Sequence, residues 1–209
     1  MEEISVDQIE KFVNDSKKLE WKWKRIRLMG GEALLHSRFF EILEVIKELK
    51  VENQCQVEIF TNGFGPQVKK LISELPRWID VVNSNKNSNF NYFSSYNVAP
   101  IDSEKYRDAN FSRGCLITSR DGLGLSRYGF YPCGPGASVD RVFGFNIGIK
   151  KLSNTTDLGL KNQLEQLCKY CGHYKENFST NLISDEQISE SWKKAYQKYK
   201  NSKPELSLC

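Results

Sequence analysis

No cysteine stands before Cys55, and no stretch of the 209 residues approaches the roughly 20 consecutive apolar residues of a membrane-spanning helix. The second absence excludes a membrane helix as an expectation and agrees with a mean hydropathy of −0.53. Met1-Glu-Glu-Ile-Ser has neither the basic region nor the apolar run of a secretory signal, so a cytoplasmic protein is expected, with no membrane partner. Charge of one sign is also missing: 30 Lys and Arg stand against 26 Asp and Glu, a net charge of +4. The densest basic patch, Lys193, Lys194, Lys198 and Lys200, reads as a solvated helix face. No nucleic-acid-binding motif accompanies it, so no nucleic-acid partner is expected. In a reducing cytosol, the six cysteines that do occur are more often ligands or catalysts than disulfides.

The first eighty residues alternate between two hydrophobic periods. Residues 5–19 predict a helix, with Ser5 as N-cap, Gln8 three positions on, and Ile9, Phe12 and Val13 on one face. Residues 25–29 and 56–60 alternate polar and apolar side chains as strands do, and 78–82 predicts a third strand. Between them, 37–49 carries Phe39, Phe40, Leu43, Ile46 and Leu49 at helical spacing, and 66–75 opens on Pro66, suited to a first helical turn. Strand and helix alternating in this way predict a parallel sheet with right-handed crossovers.

Beyond a polar loop at 83–91 the texture changes. Aromatics, Gly and Pro over 92–150 predict short strands and turns, with a hairpin at about 129–145, and helices return at 157–168 and 184–200. The expected boundary lies near 100–112, giving domains 1–106 and 107–209. Phe39, Phe40, Trp78, Phe143 and Phe145 are expected in cores or on sheet faces. Asp140-Arg141 is expected as a surface pair, and Trp192 with Tyr196 as the contact that fixes the last helix.

Four of the cysteines form a ligand set: Cys115, Cys133 and the pair Cys168-Lys-Tyr-Cys171. Four thiolates bind a structural Zn²⁺ tetrahedrally, or a [4Fe-4S] cluster with one thiolate per iron, and the residues by themselves leave both open beside simple buried thiols. Cys55 opens a strand among polar residues and is read as a non-ligand. Cys209 is expected on a mobile terminus. His173, two residues after Cys171, is a candidate donor beside the ligands or an alternative ligand, and is expected in a surface turn.

Three polar stops end the predicted strands: Gly30-Gly31-Glu32, Thr61-Asn62-Gly63 and Asn83-Ser84-Asn85. Ligands of parallel sheets bind beyond these carboxyl ends, glycines let a ligand approach the backbone, and a carboxylate can receive an ammonium group. Alone, each stop is an ordinary turn; together they mark one edge.

Ile26-Arg-Leu-Met-Gly-Gly-Glu-Ala-Leu-Leu-His36, followed by a helix and Val57-Glu-Ile-Phe-Thr-Asn-Gly63, resembles the second and third strands of a radical S-adenosylmethionine (SAM) enzyme barrel. The resemblance implies Gly30, Gly31 and Glu32 as contacts to the methionyl amino group, with Asn62, Ser84 and Asn85 as weaker candidates at the following strand ends. Ala33 stands where the family usually has Pro. Gly129-Phe-Tyr-Pro-Cys133, with Cys115 and Cys168-x2-Cys171, is similar to the SPASM and twitch extensions of that family, and four cysteines match the single auxiliary [4Fe-4S] cluster of the twitch form. The family's defining Cys-x3-Cys-x2-Cys loop has no counterpart before Gly30. The resemblance therefore implies an α/β chain: a partial (β/α) radical SAM-type barrel with parallel strands, then a small Cys-rich α+β domain. The expected function is binding of an auxiliary cluster and SAM without SAM cleavage, as a fragment, as a subunit completed by a partner chain that supplies the missing strand and loop, or as a degenerate enzyme. Its substrate would be a small molecule or peptide. The alternative is a scaffold or binding protein stabilised by zinc or an inert cluster.

Overall fold

The computed structural model describes residues 2–85, 96–174 and 188–209, and the chain divides into two compact units, Met1–Phe90 and Asn91–Cys209. The first unit is built as the hydrophobic periods predict. Helix α1, Val6–Lys18, begins at a capping box in which Ser5 Oγ accepts the Gln8 N–H and Gln8 Oε1 accepts the Ser5 N–H, both at 3.1 Å. Strand β1, Arg25–Leu28, helix α2, Phe39–Asn53, strand β2, Gln56–Thr61, helix α3, Pro66–Glu74, and strand β3, Asp80–Asn83, follow in turn. The sheet has the order β1-β2-β3 and is parallel throughout, with Arg27 opposite Glu58 and Glu58 opposite Asp80.

The pleat sorts β2 into two faces. Ile59 points to the helix side and joins Leu34, Phe39 and Leu43 with Val68 and Ile79 in one buried cluster, so α2 and α3 cover the same face. Side chains of this size each contribute about 1.5–3 kcal/mol on full burial. The alternate residues, Glu58 and Phe60, share a face with Arg25, Arg27 and Asp80. There Arg27 Nε donates to Glu58 at 2.9 Å, and its guanidinium lies 5.4 Å from the Phe60 ring centre. The described residues form a mixed α/β fold with this three-stranded parallel sheet, and no barrel closes among them. Phe40 is exposed rather than buried, because Phe39, its neighbour on the helix, takes the inward position.

In the second unit come helix α4, Leu116–Asp121, strands β4, Gly124–Ser126, and β5, Gly129–Tyr131, then helices α5, Gly134–Phe143, α6, Asp157–Leu167, and α7, Glu190–Asn201. The expected hairpin at 129–145 is displaced. It lies one strand earlier, β4 against β5 around Arg127-Tyr128, and residues 134–143 are helical, with Pro135 in the first turn and Gly144 closing the helix in the left-handed region. Of the helix expected at 184–200, residues 184–187 lie outside the described residues, as do 86–91 of the polar loop.

Trp192 is fully buried at the centre of this unit, among Tyr131, Val139, Leu167 and Cys171, and its indole N–H donates to Tyr170 O at 2.6 Å. The Tyr196 ring stands 5.1 Å from it, as the spacing on α7 implied. Phe143 and Phe145 pack partly buried against the same cluster. Asp140, expected on the surface, is completely buried: it accepts the Tyr131 hydroxyl at 2.6 Å and the Ile147 N–H at 3.2 Å. A short acidic side chain on a helix reads as solvated unless its distant donors are known. Cys209 is also held rather than loose, with its N–H on Arg127 O at 3.0 Å and its thiol on Lys150 O at 3.1 Å.

No helix among the described residues is long and apolar enough to cross a membrane. D140A removes the acceptor shared by the Tyr131 hydroxyl and the Ile147 N–H, so its expected cost is about 3 kcal/mol. Urea denaturation against wild type measures it, and a change below about 1 kcal/mol contradicts the assignment.

Candidate metal centre

Cys115, Cys133, Cys168 and Cys171 line a single concavity of the second unit, together with Ile117, Thr118, Pro132, Pro135, Leu164, Leu167 and His173. The concavity is small, about 10 Å³, and partly open to solvent. Each thiol arrives at an element boundary. Cys115 is the N-cap of α4, and Cys133 follows β5 as the N-cap of α5. Cys168 caps the carboxyl end of α6, and a tight turn with Cys171 N–H on Cys168 O at 3.4 Å brings the second member of the pair round.

The pair is anchored in two hydrophobic clusters at once. Cys168 packs with Phe111 and Leu164, whereas Cys171 belongs to the cluster around Trp192. Cys133 is fixed differently: its sulfur accepts the Gly136 N–H at 3.4 Å from the first turn of α5. Gly136 has a packing reason, since a methyl there would meet Leu167 Cδ1 at 3.1 Å and Cys133 Sγ at 3.4 Å. Among the described residues, none that lines the concavity is a carboxylate. Four thiols on an apolar wall are a soft donor set, suited to zinc or an iron–sulfur cluster rather than to Mg²⁺ or Ca²⁺. Among the described residues, no three His, Cys, Asp or Glu side chains are gathered closely enough to hold one metal ion as they stand.

Burial acts on the thiols together. It pushes Cys133 up to about 11, with the Gly136 N–H pulling the other way. It pushes Cys171 up to about 12, and it raises Cys168 further, with the neighbouring sulfurs of Cys133, Cys171 and Cys115 adding to the rise. The sulfurs thus feel one another across the cavity. His173, expected on the surface, lines the wall and lies 5.6 Å from the Tyr96 ring, and its backbone N–H is bonded to the Cys171 sulfur. Tyr96, which sequence reasoning missed, is partly buried beside Cys171 and Cys133, and desolvation there raises its hydroxyl. Nothing in its local sequence distinguishes it. Cys55 lies in the first unit, buried, with its thiol 3.8 Å from Leu49 O.

The other candidate residues meet at the carboxyl edge of the first unit's sheet. Glu32 Oε2 accepts the Thr61 hydroxyl at 2.9 Å and the Asn62 N–H at 3.0 Å, so the carboxylate ties the ends of β1 and β2 together. Asn62 Oδ1 accepts the Phe64 N–H at 2.7 Å, and Ser84 N–H donates to Thr61 O at 3.0 Å. Asn85 follows in the left-handed region, its N–H on Asn83 Oδ1 at 2.8 Å. A methyl on Gly30 or Gly31 would meet nothing within 4 Å, so those glycines border free space. A carboxylate has about four acceptor positions. Glu32 therefore keeps capacity for a further donor, but its first partners are the protein's own.

No protein-family model, no curated protein and no solved structure matches the chain.

The raised thiols fix a pH dependence for protein prepared without metal. A thiol whose folded value lies above its unfolded value of about 8.5 contributes fully below that pH, and the contribution is lost as the pH climbs toward the folded value. The urea midpoint of metal-free protein should therefore fall between about pH 8 and about pH 10, and the Cys133, Cys168 and Cys171 triple alanine variant should show a shallower fall. Equal slopes in the two proteins would refute the account.

Proposed function

We propose that the chain is a radical SAM-like protein whose second unit holds one [4Fe-4S] cluster on Cys115, Cys133, Cys168 and Cys171, and whose sheet edge at Gly30, Gly31 and Glu32 holds SAM, without the loop for a catalytic cluster. The observation that carries the reading is the convergence of four thiols, far apart in sequence, on one apolar cavity. A single zinc ion draws all four sulfurs to about 2.3 Å of one point. A cluster accepts a wider spread, because each thiolate binds a different iron. Among the described residues the thiols are not drawn to one point as they stand.

The first unit adds support of another kind. Sequential strand order with α2 and α3 on one face is the local geometry of a (β/α) barrel sector. The charged opposite face, with Arg25, Arg27, Glu58 and Asp80, then corresponds to barrel lining. A partner chain supplying a further strand and cluster loop would complete such a sector, and the substrate class would be a small molecule or peptide.

When bound, the cluster supplies one-electron transfer or an iron Lewis acid. The chain's own part is positional: Gly136 N–H and His173 N–H donate to two sulfurs, the α5 amino terminus favours the cluster's negative charge, and the apolar wall limits water.

Anaerobic reconstitution with iron and sulfide tests the reading. Wild type should gain a broad absorbance near about 400 nm, and C168A or C171A should lose most of it. A colourless protein carrying one tightly held zinc would instead establish the metal-stabilised scaffold. Reconstituted, dithionite-reduced protein incubated with SAM should release no 5′-deoxyadenosine, because no Cys-x3-Cys-x2-Cys stands at the sheet edge. Its detection by chromatography would overturn that part of the assignment.

A further inference from the structure

The four thiols are not held alike. Cys133, Cys168 and Cys171 are each less than a tenth exposed and sit on elements with their own buried side chains. Helix α5 buries Gly136, Val139 and Asp140, and α6 buries Gln163, Leu164 and Leu167. Cys115 is half-buried, and α4, the helix it caps, has no buried residue at all. Leu116, the first residue of α4, is 48% exposed.

The segment also has a glycine at each end. Gly114 has φ +66° and Gly122 has φ +73°, conformations that favour glycine; Gly114 is packed against Thr118 and Leu164, whereas a methyl on Gly122 would meet nothing within 4 Å, so the far end of α4 turns beside open space. Hydrogen bonds at those ends are long: Ser119 N–H to Cys115 O is 3.4 Å, and Gly122 N–H to Thr118 O is 3.3 Å. Few buried contacts and exposed backbone bonds mark the segments that open at low free-energy cost. Thr118 Oγ1, which accepts the Cys115 N–H at 3.3 Å, stands 4.0 Å from the Cys115 sulfur.

Resting on the cluster reading above, we propose that Cys115 is a displaceable ligand: the metal group is carried by Cys133, Cys168 and Cys171, and α4 swings so that a small external thiol takes the fourth position. A thiol is the matching class because the remaining ligands are thiolates and Ile117, Pro132, Pro135, Leu164 and Leu167 make the wall apolar. In the exchange the metal–sulfur bond to Cys115 breaks and one to the incoming sulfur forms. The released Cys115 thiolate takes up the proton that the incoming thiol gives off, so charge is conserved and no electron moves.

The test uses the full chain and four single alanine variants, each loaded with iron and sulfide and, separately, with Co²⁺. C115A should keep its iron within about twofold of wild type, whereas C133A, C168A and C171A should lose it by at least about tenfold. Added 2-mercaptoethanol should shift the charge-transfer absorbance of C115A and restore the intensity of a fourth thiolate. Equal losses in all four variants, or no response of C115A to the thiol, would overturn the proposal. Should a core variant fail to fold, loaded wild type treated with iodoacetamide decides the matter by peptide mapping. Cys115 should be labelled well before the other three, and equal labelling counts against displacement. If wild type takes up no cluster but shows the same asymmetry with Co²⁺, the iron–sulfur reading fails while the displaceable ligand stands.

Discussion

The second unit depends on the turn that carries Cys168 and Cys171. Within three residues it leaves the cluster of Phe111 and Leu164 and enters that of Trp192, so each sulfur is fixed by a different part of the core. Packing of this kind sets where both thiols lie before any metal arrives. It also makes the thiols reluctant to ionise, since apolar walls and sulfur neighbours both disfavour thiolates. Any metal taken up here would have to work against that reluctance, and the N–H groups of Gly136 and His173 offset part of it.

The first unit has a comparable tie in Glu32. A carboxylate that accepts from Thr61 Oγ1 and Asn62 N–H links the ends of two neighbouring strands. The glycines before it border empty space while the acid itself is engaged. Recognition of a ligand at this edge would therefore draw on backbone exposed by Gly30 and Gly31 as much as on the carboxylate, whose charge is already shared with the protein.

How much was legible in the sequence follows from the range of the interactions. The Ser5 cap, the Pro66 start and the alternating strands are local, and each appears where its residues imply. That Cys115, Cys133, Cys168 and Cys171 belong together was also legible, because cysteine is scarce enough for its placement to carry information, and the four line one concavity. Asp140, Tyr96 and Cys209 were not. Their surroundings come from partners distant in sequence or in another element, such as Tyr131 and Ile147 for Asp140, or Arg127 and Lys150 for Cys209. The hairpin was misplaced for a related reason: Gly134-Pro135-Gly136 looks like a turn, yet Cys133 caps a helix there. The difference in anchorage among the four thiols is likewise invisible until burial is known.

The carboxyl-terminal strap has a mechanical consequence. Arg141 holds Pro204 O at 2.6 Å, Asn146 pairs with Ser207, and Cys209 ends on the loop between β4 and β5. Tension applied at residue 209 loads that loop directly, and β5 transmits it within a few residues to Pro132 and Cys133. A tether, tag or fusion at this end therefore pulls on the thiol cradle itself, whereas one at the amino-terminal end loads α1 of the other unit.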